Sequence, residues 1–122
     1  MPDERQLLGA EGERAAEQFL RRHHYRILQR NYRCAAGEID LVALDRTTVV
    51  FVEVKTRTQE SFGNPLEAVD QRKQRQMVRA ARYFLSEHRL HERAVRFDVV
   101  GVWWEGERVT CELVQHAFEL GD

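Results

Sequence analysis

Two stretches of the chain place apolar residues at helical spacing, and each predicts a helix that packs one side against a core. The first stretch covers about residues 5–23 and the second about residues 65–88. Asn64 is the expected N-cap of the second helix, and Pro65 suits its first turn. The apolar side of the first helix consists of Leu8, Gly12, Ala15, Ala16, Phe19 and Leu20, and that of the second of Leu66, Val69, Met77, Ala80, Ala81, Phe84 and Leu85.

Five shorter runs, bounded by turn residues, predict strands at residues 25–33, 39–44, 49–55, 96–104 and 108–114. The chain order is therefore helix, three strands, helix, two strands. The strand, helix, strand passage from residue 48 to 104 requires a right-handed crossover. We therefore expect an α/β fold with a mixed sheet and helices packed on it. At 122 residues, the chain is expected to form a single domain over 1–122.

The second and third strands are joined by the short polar turn Asp45-Arg46-Thr47-Thr48, and this turn sets their register. A hairpin centred between Arg46 and Thr47 is one hypothesis, although these two residues lack the Asn-Gly signal of a two-residue turn. A bulge or an odd-length loop would turn one strand over. The pairs that the hypothesis predicts are Leu44 with Val49, Val42 with Phe51, and Asp40 with Glu53.

The opposed carboxylates of Asp40 and Glu53 indicate a site that attracts a cation. Directly opposed residues have Cβ atoms only ~5 Å apart, and like charges there destabilise a sheet. A metal ion, a shared proton or a basic neighbour would offset the repulsion. Lys55 lies on the same face as Glu53 because strand side chains alternate. The alternative is an ordinary sheet with Glu53 and Lys55 as a surface pair, but it does not explain Asp40 within an apolar strand.

Lysine is scarce in this chain, which has seventeen arginines and only two lysines, Lys55 and Lys73. In such a composition, lysines are candidates for positions where a compact ammonium cannot be replaced by a planar guanidinium. Lys73 lies within the apolar stripe of the second helix. Its ammonium either extends past the core into water or points back toward the sheet and its carboxylates.

The net charge of −1 provides no overall attraction to nucleic acid, but arginines are concentrated in two places. The set on the second helix lies nearly opposite the apolar side, so it forms either a solvated face or a surface that follows phosphates. The first set consists of Arg21, Arg22, Arg26, Arg30 and Arg33, and the second of Arg72, Arg75, Arg79 and Arg82.

Several other classes of protein and site are disfavoured by the sequence. No apolar run approaches membrane-spanning length and the N-terminus lacks the apolar stretch of a signal peptide, so we expect a cytoplasmic protein without membrane contact. Cys34 and Cys111 lack the spacing of a disulfide framework or a zinc site. The five histidines likewise lack metal-ligand spacing.

The residues around Asp40 and Glu53 form two short motifs with a fixed spacing. Gly37-Glu38-Ile39-Asp40, followed after twelve residues by Glu53-Val54-Lys55, resembles the PD-(D/E)XK nuclease signature. The chain as a whole looks like the YraN family (UPF0102-type) of predicted bacterial endonucleases, which are similar to archaeal Holliday junction resolvases. The resemblance covers about nine-tenths of the chain and includes Gly9-Ala10-Glu11-Gly12-Glu13, Arg30-Asn31-Tyr32-Arg33, Phe51–Arg57, Phe62-Gly63-Asn64-Pro65, Lys73 and Arg96-Phe97-Asp98-Val99-Val100.

The resemblance implies a restriction-endonuclease-like (tRNA endonuclease-like) α-β-β-β-α-β-β fold and a metal-dependent nuclease site. Asp40 and Glu53 would bind Mg²⁺ or Mn²⁺, with the carbonyl of Val54 as a third ligand. Lys55 would orient or activate the attacking water. Glu13 matches a glutamate that related resolvases supply from the first helix, as a further ligand or an outer partner. Such carboxylate oxygens suit these hard cations.

The resemblance also implies a nucleic-acid partner, with DNA, including branched DNA, favoured over RNA. The residues expected to contact it are Arg30 and Arg33, together with Lys73 and Arg57, whose family positions suggest either phosphate contact or closure of the site. Junction resolvases act as dimers, which implies a homodimer, although no exposed apolar helix face specifies one. Two alternatives stay open: a nucleic-acid-binding module that is non-catalytic or activated by a partner, and an interaction domain whose charges are ordinary surface.

Overall fold

A computed structural model describes residues 4–57 and 69–119 of the chain, with side chains from residue 8 onward. Its elements follow the predicted order of helix, three strands, helix and two strands. Each predicted strand is present, and several extend beyond the predicted bounds. The elements are α1 (Glu4–Arg22), β1 (Arg26–Cys34), β2 (Gly37–Asp45), β3 (Thr48–Arg57), α2 (Gln71–Glu87), β4 (Val95–Glu105) and β5 (Arg108–Phe118).

The five strands form one sheet in the order β1-β2-β3-β4-β5. All neighbouring strands are antiparallel except β3 and β4, which are parallel. Parallel neighbours cannot be joined by a tight turn, and the connection between β3 and β4 contains α2. The mixed α/β sheet that the sequence predicts is therefore confirmed.

The two helices pack against opposite faces of this sheet. On β3, Val49 and Phe51 belong to the core on the α2 side. Val50 and Val52 belong to the core on the α1 side. A central strand that is buried on both faces is apolar at almost every position, so its sequence alone does not show which face each side chain occupies.

The start of α2 differs from the prediction. The helix begins at Gln71, and its N-cap is Asp70, whose backbone is extended and whose Oδ1 accepts the Lys73 N–H at 2.8 Å. A helix running unbroken from Pro65 is therefore wrong, because it would have to pass through Asp70 in a helical conformation. Asn64 and Pro65 themselves lie outside the described residues. An aspartate is as good a cap as an asparagine, so the pattern offered two starting points.

The rest of the α2 prediction holds. Its buried residues are those of the predicted apolar stripe from Met77 onward, namely Met77, Ala80, Ala81, Phe84 and Leu85. The first helix also occurs within a residue of its predicted ends. Across residues 4–57 and 69–119, neither helix is long and apolar enough to cross a membrane.

A buried polar network ties β4 to the ends of three other elements. Asp98 on β4 is fully buried. Arg96 donates to it in a bidentate arrangement, Nε to Oδ1 at 2.9 Å and Nη2 to Oδ2 at 3.0 Å, and Arg96 also pairs with Asp45 at 2.9 Å. Tyr25 donates its hydroxyl to Asp98 Oδ2 at 2.9 Å. The backbone N–H of His116, which has a positive φ, reaches Asp98 Oδ1 at 3.2 Å.

We expect Asp98→Ala to reduce the free energy of unfolding by about 3–5 kcal/mol, because it leaves the Arg96 guanidinium without its principal partner. Asp98→Asn keeps the shape and one acceptor oxygen, so it should be less harmful. Urea unfolding followed by circular dichroism measures both. Glu112→Ala, at an exposed position on β5, is the control and should change stability by less than about 0.5 kcal/mol. A loss below about 1 kcal/mol for Asp98→Ala would contradict the role assigned to this network.

Candidate functional site

The hairpin register that the sequence predicts is the one observed. Leu44 pairs with Val49 and Val42 with Phe51, around a turn in which Arg46 has a positive φ of 57°. The pairing ends at Leu41 and Val52, so the third predicted pair, Asp40 with Glu53, is not part of the ladder and lies one position beyond its end. β3 nevertheless stays paired with β4 as far as Arg57. The sheet therefore forks at the position of the two carboxylates.

The fork coincides with a hydrogen bond between a side chain and the backbone. A continued ladder would pair Ile39 with Val54. The Val54 N–H instead donates to Asp40 Oδ2 at 2.8 Å. The alternation of β2 also breaks here, since Ile39 packs on the α2 side and Leu41 on the α1 side. Asp40 thus lies where β2 changes faces, and its carboxylate reaches toward β3.

Glu53 is the most deeply buried acid of the candidate site, with 6% of its surface exposed. Burial and the negative charge of Asp40 raise the pKa of the Glu53 carboxyl, and the Lys73 ammonium opposes this rise. Lys73 Nζ lies 3.2 Å from Glu53 Oε2. Of the two interpretations of Lys73, the one in which its ammonium points toward the sheet carboxylates is therefore observed.

An open cleft of about 350 Å³ lies on the α2 side of the fork. Glu53 and Lys55 both line it, as expected for residues two apart on a strand. Gln76 on α2 donates to the Glu38 carbonyl at 3.3 Å, and this bond ties α2 to the start of β2. The remaining lining residues are Asp70, Arg72 and Lys73.

Glu13 approaches the fork from the α1 side. Its helix comes close to β3 because the preceding residue is Gly12, where a Cβ would overlap the Thr56 hydroxyl. Burial, followed by the charges of Asp40 and Glu38, raises the pKa of Glu13 to about 7. Its Oε1 is buried and has no hydrogen-bond partner among the described residues. The Glu13 carboxylate thus occupies a position that favours a cation or a proton.

The positions of Asp40, Glu53 and Glu13 indicate which of these carboxylates could bind a metal ion directly. Across 4–57 and 69–119, no three acidic, histidine or cysteine side chains come together as a ready-made metal cluster. Asp40 influences both Glu53 and Glu13, but Glu53 and Glu13 approach it from different sides. The partly buried Asp40 and the buried Glu53 together fit a divalent cation, because repulsion between the carboxylates is then offset. Glu13 fits the outer-partner role better than that of a direct ligand.

Two of the predicted nucleic-acid contacts lie beside carboxylates. Arg30 Nη2 donates to Glu17 Oε2 at 2.8 Å. Arg33 Nε lies 3.8 Å from Glu38 Oε2. Both side chains are exposed, and their contact with nucleic acid stays a prediction. Arg57 is at the end of β3, and its Nε is buried without a partner in the described part of the chain.

Sequence reasoning assigned no role to Asp70 or Gln76, which line the cleft. The signal for Asp70 was an acidic residue immediately before a polar and basic helical turn, which is typical of an N-cap. For Gln76 no comparable signal exists, because its contact with Glu38 depends on how α2 lies across β2. Asp98 also had no assigned role, because its partners lie on distant elements of the chain. An acid within an apolar strand nevertheless indicates a buried partner.

Comparison with known proteins identifies one matching family model and several similar proteins. The model of the uncharacterised protein family UPF0102 matches residues 12–102. A UPF0102 protein of Geobacter metallireducens is 48% identical over 113 residues, which cover 93% of each chain. One from Moorella thermoacetica is 47% identical over 93% of this chain and 97% of its own. A third, from Caldanaerobacter subterraneus, is 42% identical over 92% of each chain. These names state no activity.

The raised pKa of Glu13 predicts a pH-dependent cost to stability. The folded protein binds a proton at Glu13 more tightly than the unfolded chain does, so stability falls as pH rises from about 4.5 to about 7. We expect Glu13→Gln to reduce this decline, because only the contribution of the raised Glu53 pKa then remains. At pH values near 8 the variant should be more stable than the wild type by about 1 kcal/mol, or roughly 3–5 °C in Tm. Thermal unfolding in metal-free buffer across this pH range is the measurement.

Glu11→Gln is the matched control, because Glu11 is exposed on the same helix. It should leave the pH profile of Tm unchanged. A Glu13→Gln variant that keeps the wild-type pH profile, or that is less stable near pH 8, would contradict the electrostatic description of this residue.

Proposed function

The chain belongs to the UPF0102 family, and we propose that it is a divalent-metal-dependent endonuclease that hydrolyses nucleic-acid phosphodiesters. One observation carries this proposal: Asp40 and Glu53 lie together at the fork of the sheet, beside an open cleft that also presents Lys55. The resemblance to PD-(D/E)XK nucleases supports it, since the signature residues are those at the fork.

Asp40 and Glu53, with the Val54 carbonyl as a third ligand, would hold Mg²⁺ or Mn²⁺. When bound, such an ion supplies stabilisation of the charge that develops on the phosphoryl and leaving oxygens. Two or three protein ligands leave coordination positions for water and phosphate. Asp40 is held by the Val54 N–H, so its carboxylate is already oriented before a substrate arrives.

Lys55 would orient the attacking water. Its ammonium is a compact charge on a flexible stem, and it lines the same cleft as Glu53. A water held there can attack phosphorus in line with the leaving oxygen, which takes up a proton as the bond breaks. Glu13 adds negative charge on the opposite side of Asp40 and so favours cation entry at the fork.

The Lys73–Glu53 ion pair supports a second candidate function. Lys73 partly neutralises one of the two principal carboxylates, and the described residues supply no third acidic ligand beside them. A module with the nuclease fold that binds nucleic acid, and cleaves only when a partner or substrate moves Lys73 away, would have this arrangement. DNA, including branched DNA, is the expected partner of either form, with Lys73, Arg57, Arg30 and Arg33 as the proposed contacts.

We expect Asp40→Asn and Glu53→Gln each to lower metal-dependent cleavage at least about a hundredfold, because each removes a ligand charge worth several kcal/mol to the transition state. The measurement is cleavage of labelled linear, flapped, branched and single-stranded DNA and RNA with Mn²⁺ or Mg²⁺. Glu107→Gln, in the exposed turn between β4 and β5, is the control and should retain full activity.

Circular dichroism of each variant shows whether the fold survives. Cleavage that persists in both folded carboxylate variants would exclude the proposed site. Binding without metal-dependent cleavage by the wild type would favour the module that requires a partner.

A further inference from the structure

The exposed face of α2 carries a row of four arginines. Their positions lie within an arc of about 80° around the helix, and ten residues span about 15 Å along it. The apolar residues of α2 face the sheet on the other side. The row, called the arginine stripe below, consists of Arg72, Arg75, Arg79 and Arg82, all exposed.

The charges of α2 would destabilise this helix if it were isolated. The helix contains five basic residues and one acidic residue, in a chain whose net charge is −1. Arg72 and Lys73 lie in the first turn, where the helix dipole disfavours cations, and that turn contains no acidic residue. Neighbouring members of the stripe are three or four residues apart, so they repel one another. A bound polyanion would relieve both effects.

The stripe differs from several arginines elsewhere in the described residues, because those arginines pair with carboxylates. Arg21 and Arg30 pair with Glu17, and Arg96 pairs with Asp45 and Asp98. No carboxylate of the described residues lies within ion-pair distance of any stripe arginine. The one acid of α2, Glu87, instead accepts a hydrogen bond from the Tyr32 hydroxyl at 2.7 Å. The positive charge of the stripe is therefore directed outward.

Two further features connect the stripe with the cleft and with nucleic-acid bases. Arg72, the first member, lines the same cleft as Glu53 and Lys55. At the other end, Tyr83 is 47% exposed and lies on the same face as Arg79. An exposed aromatic ring among cations is the combination that binds unpaired strands, with phosphates on the cations and a base stacked on the ring.

We propose that α2 binds one unpaired nucleic-acid strand whose phosphates follow the arginine stripe and one of whose bases stacks on Tyr83. This inference rests on the proposed function, because the strand would lead from Tyr83 past Arg72 into the cleft. A single narrow row of cations matches one strand, whereas a duplex presents two phosphate rows separated by a groove ~6–12 Å wide. A flap or the single-stranded arm of a branched structure is thus the substrate element that suits this surface.

The test is fluorescence anisotropy in EDTA, so that binding is measured without cleavage. The probes are a labelled single-stranded oligonucleotide of about ten nucleotides and a duplex of equal length. The stripe variant carries Arg75→Gln, Arg79→Gln and Arg82→Gln. A control with the same loss of charge carries Arg26→Gln, Arg93→Gln and Arg108→Gln, all at exposed positions off α2. Tyr83→Ala tests the stacking.

The stripe variant should bind the single strand about 10–100-fold more weakly than wild type at low salt. Three lost contacts should also lower the slope of log affinity against log salt by about 2. Tyr83→Ala should weaken single-strand binding roughly tenfold and duplex binding much less. The charge control should stay within about threefold of wild type.

Equal losses in the stripe and control variants would overturn the proposal, since net charge alone would then explain binding. If the duplex binds as tightly as the single strand and Tyr83→Ala does not weaken binding, the proposal that the bound strand is unpaired is overturned. Stripe-dependent binding to phosphatidylserine vesicles, with none to oligonucleotides, would overturn it in favour of a membrane surface.

Cleavage assays separate this inference from the proposed function. If wild type never cleaves but binds single strands through the stripe and Tyr83, the binding surface stands and the nuclease proposal fails. If cleavage is lost in Asp40→Asn while the stripe variant binds and cleaves as wild type does, the nuclease stands and the binding surface fails.

Discussion

The hydrogen bond from the Val54 N–H to the Asp40 carboxylate is the interaction on which the candidate site depends. It occurs where the β2–β3 ladder stops, so a side chain satisfies a backbone donor that would otherwise face the next strand. Because β3 stays paired with β4, the opening affects only one side of β3. The positions of Asp40 and Glu53, and the cleft beside them, result from this local separation of β2 and β3.

The separated strands create a conflict between stability and the arrangement of charge. Burial raises the pKa of both Glu53 and Glu13, and the charge of Asp40 raises them further. Buried like charges are unfavourable unless a cation or proton accompanies them. By contrast, Asp98 is fully buried and is paired with Arg96 and Tyr25. Within the same sheet, Asp98 is fully paired by neighbouring side chains, whereas the repulsion between Asp40 and Glu53 is opposed only in part by Lys73.

The sequence predicted the element order, the hairpin register and the position of the acidic pair, because turn length and strand periodicity are local properties. It did not predict that the ladder would end one pair before Glu53, because this depends on Asp40 bonding to a residue fourteen positions away. The start of α2 was missed since Asn64 and Asp70 are equally good caps. The Asp98 network was missed because its partners come from distant elements, including Tyr25 and His116.

Gly12 has a consequence that extends beyond close packing. Since a Cβ at this position would overlap Thr56, residues 12 and 56 behave as one steric unit, and a larger residue at either position requires a smaller one at the other or a wider gap. A wider gap would carry Glu13 away from Asp40 without altering any acidic residue. The pKa of Glu13 therefore depends on the distance between α1 and the sheet. A purely steric change at α1 would in this way alter the electrostatics of the fork.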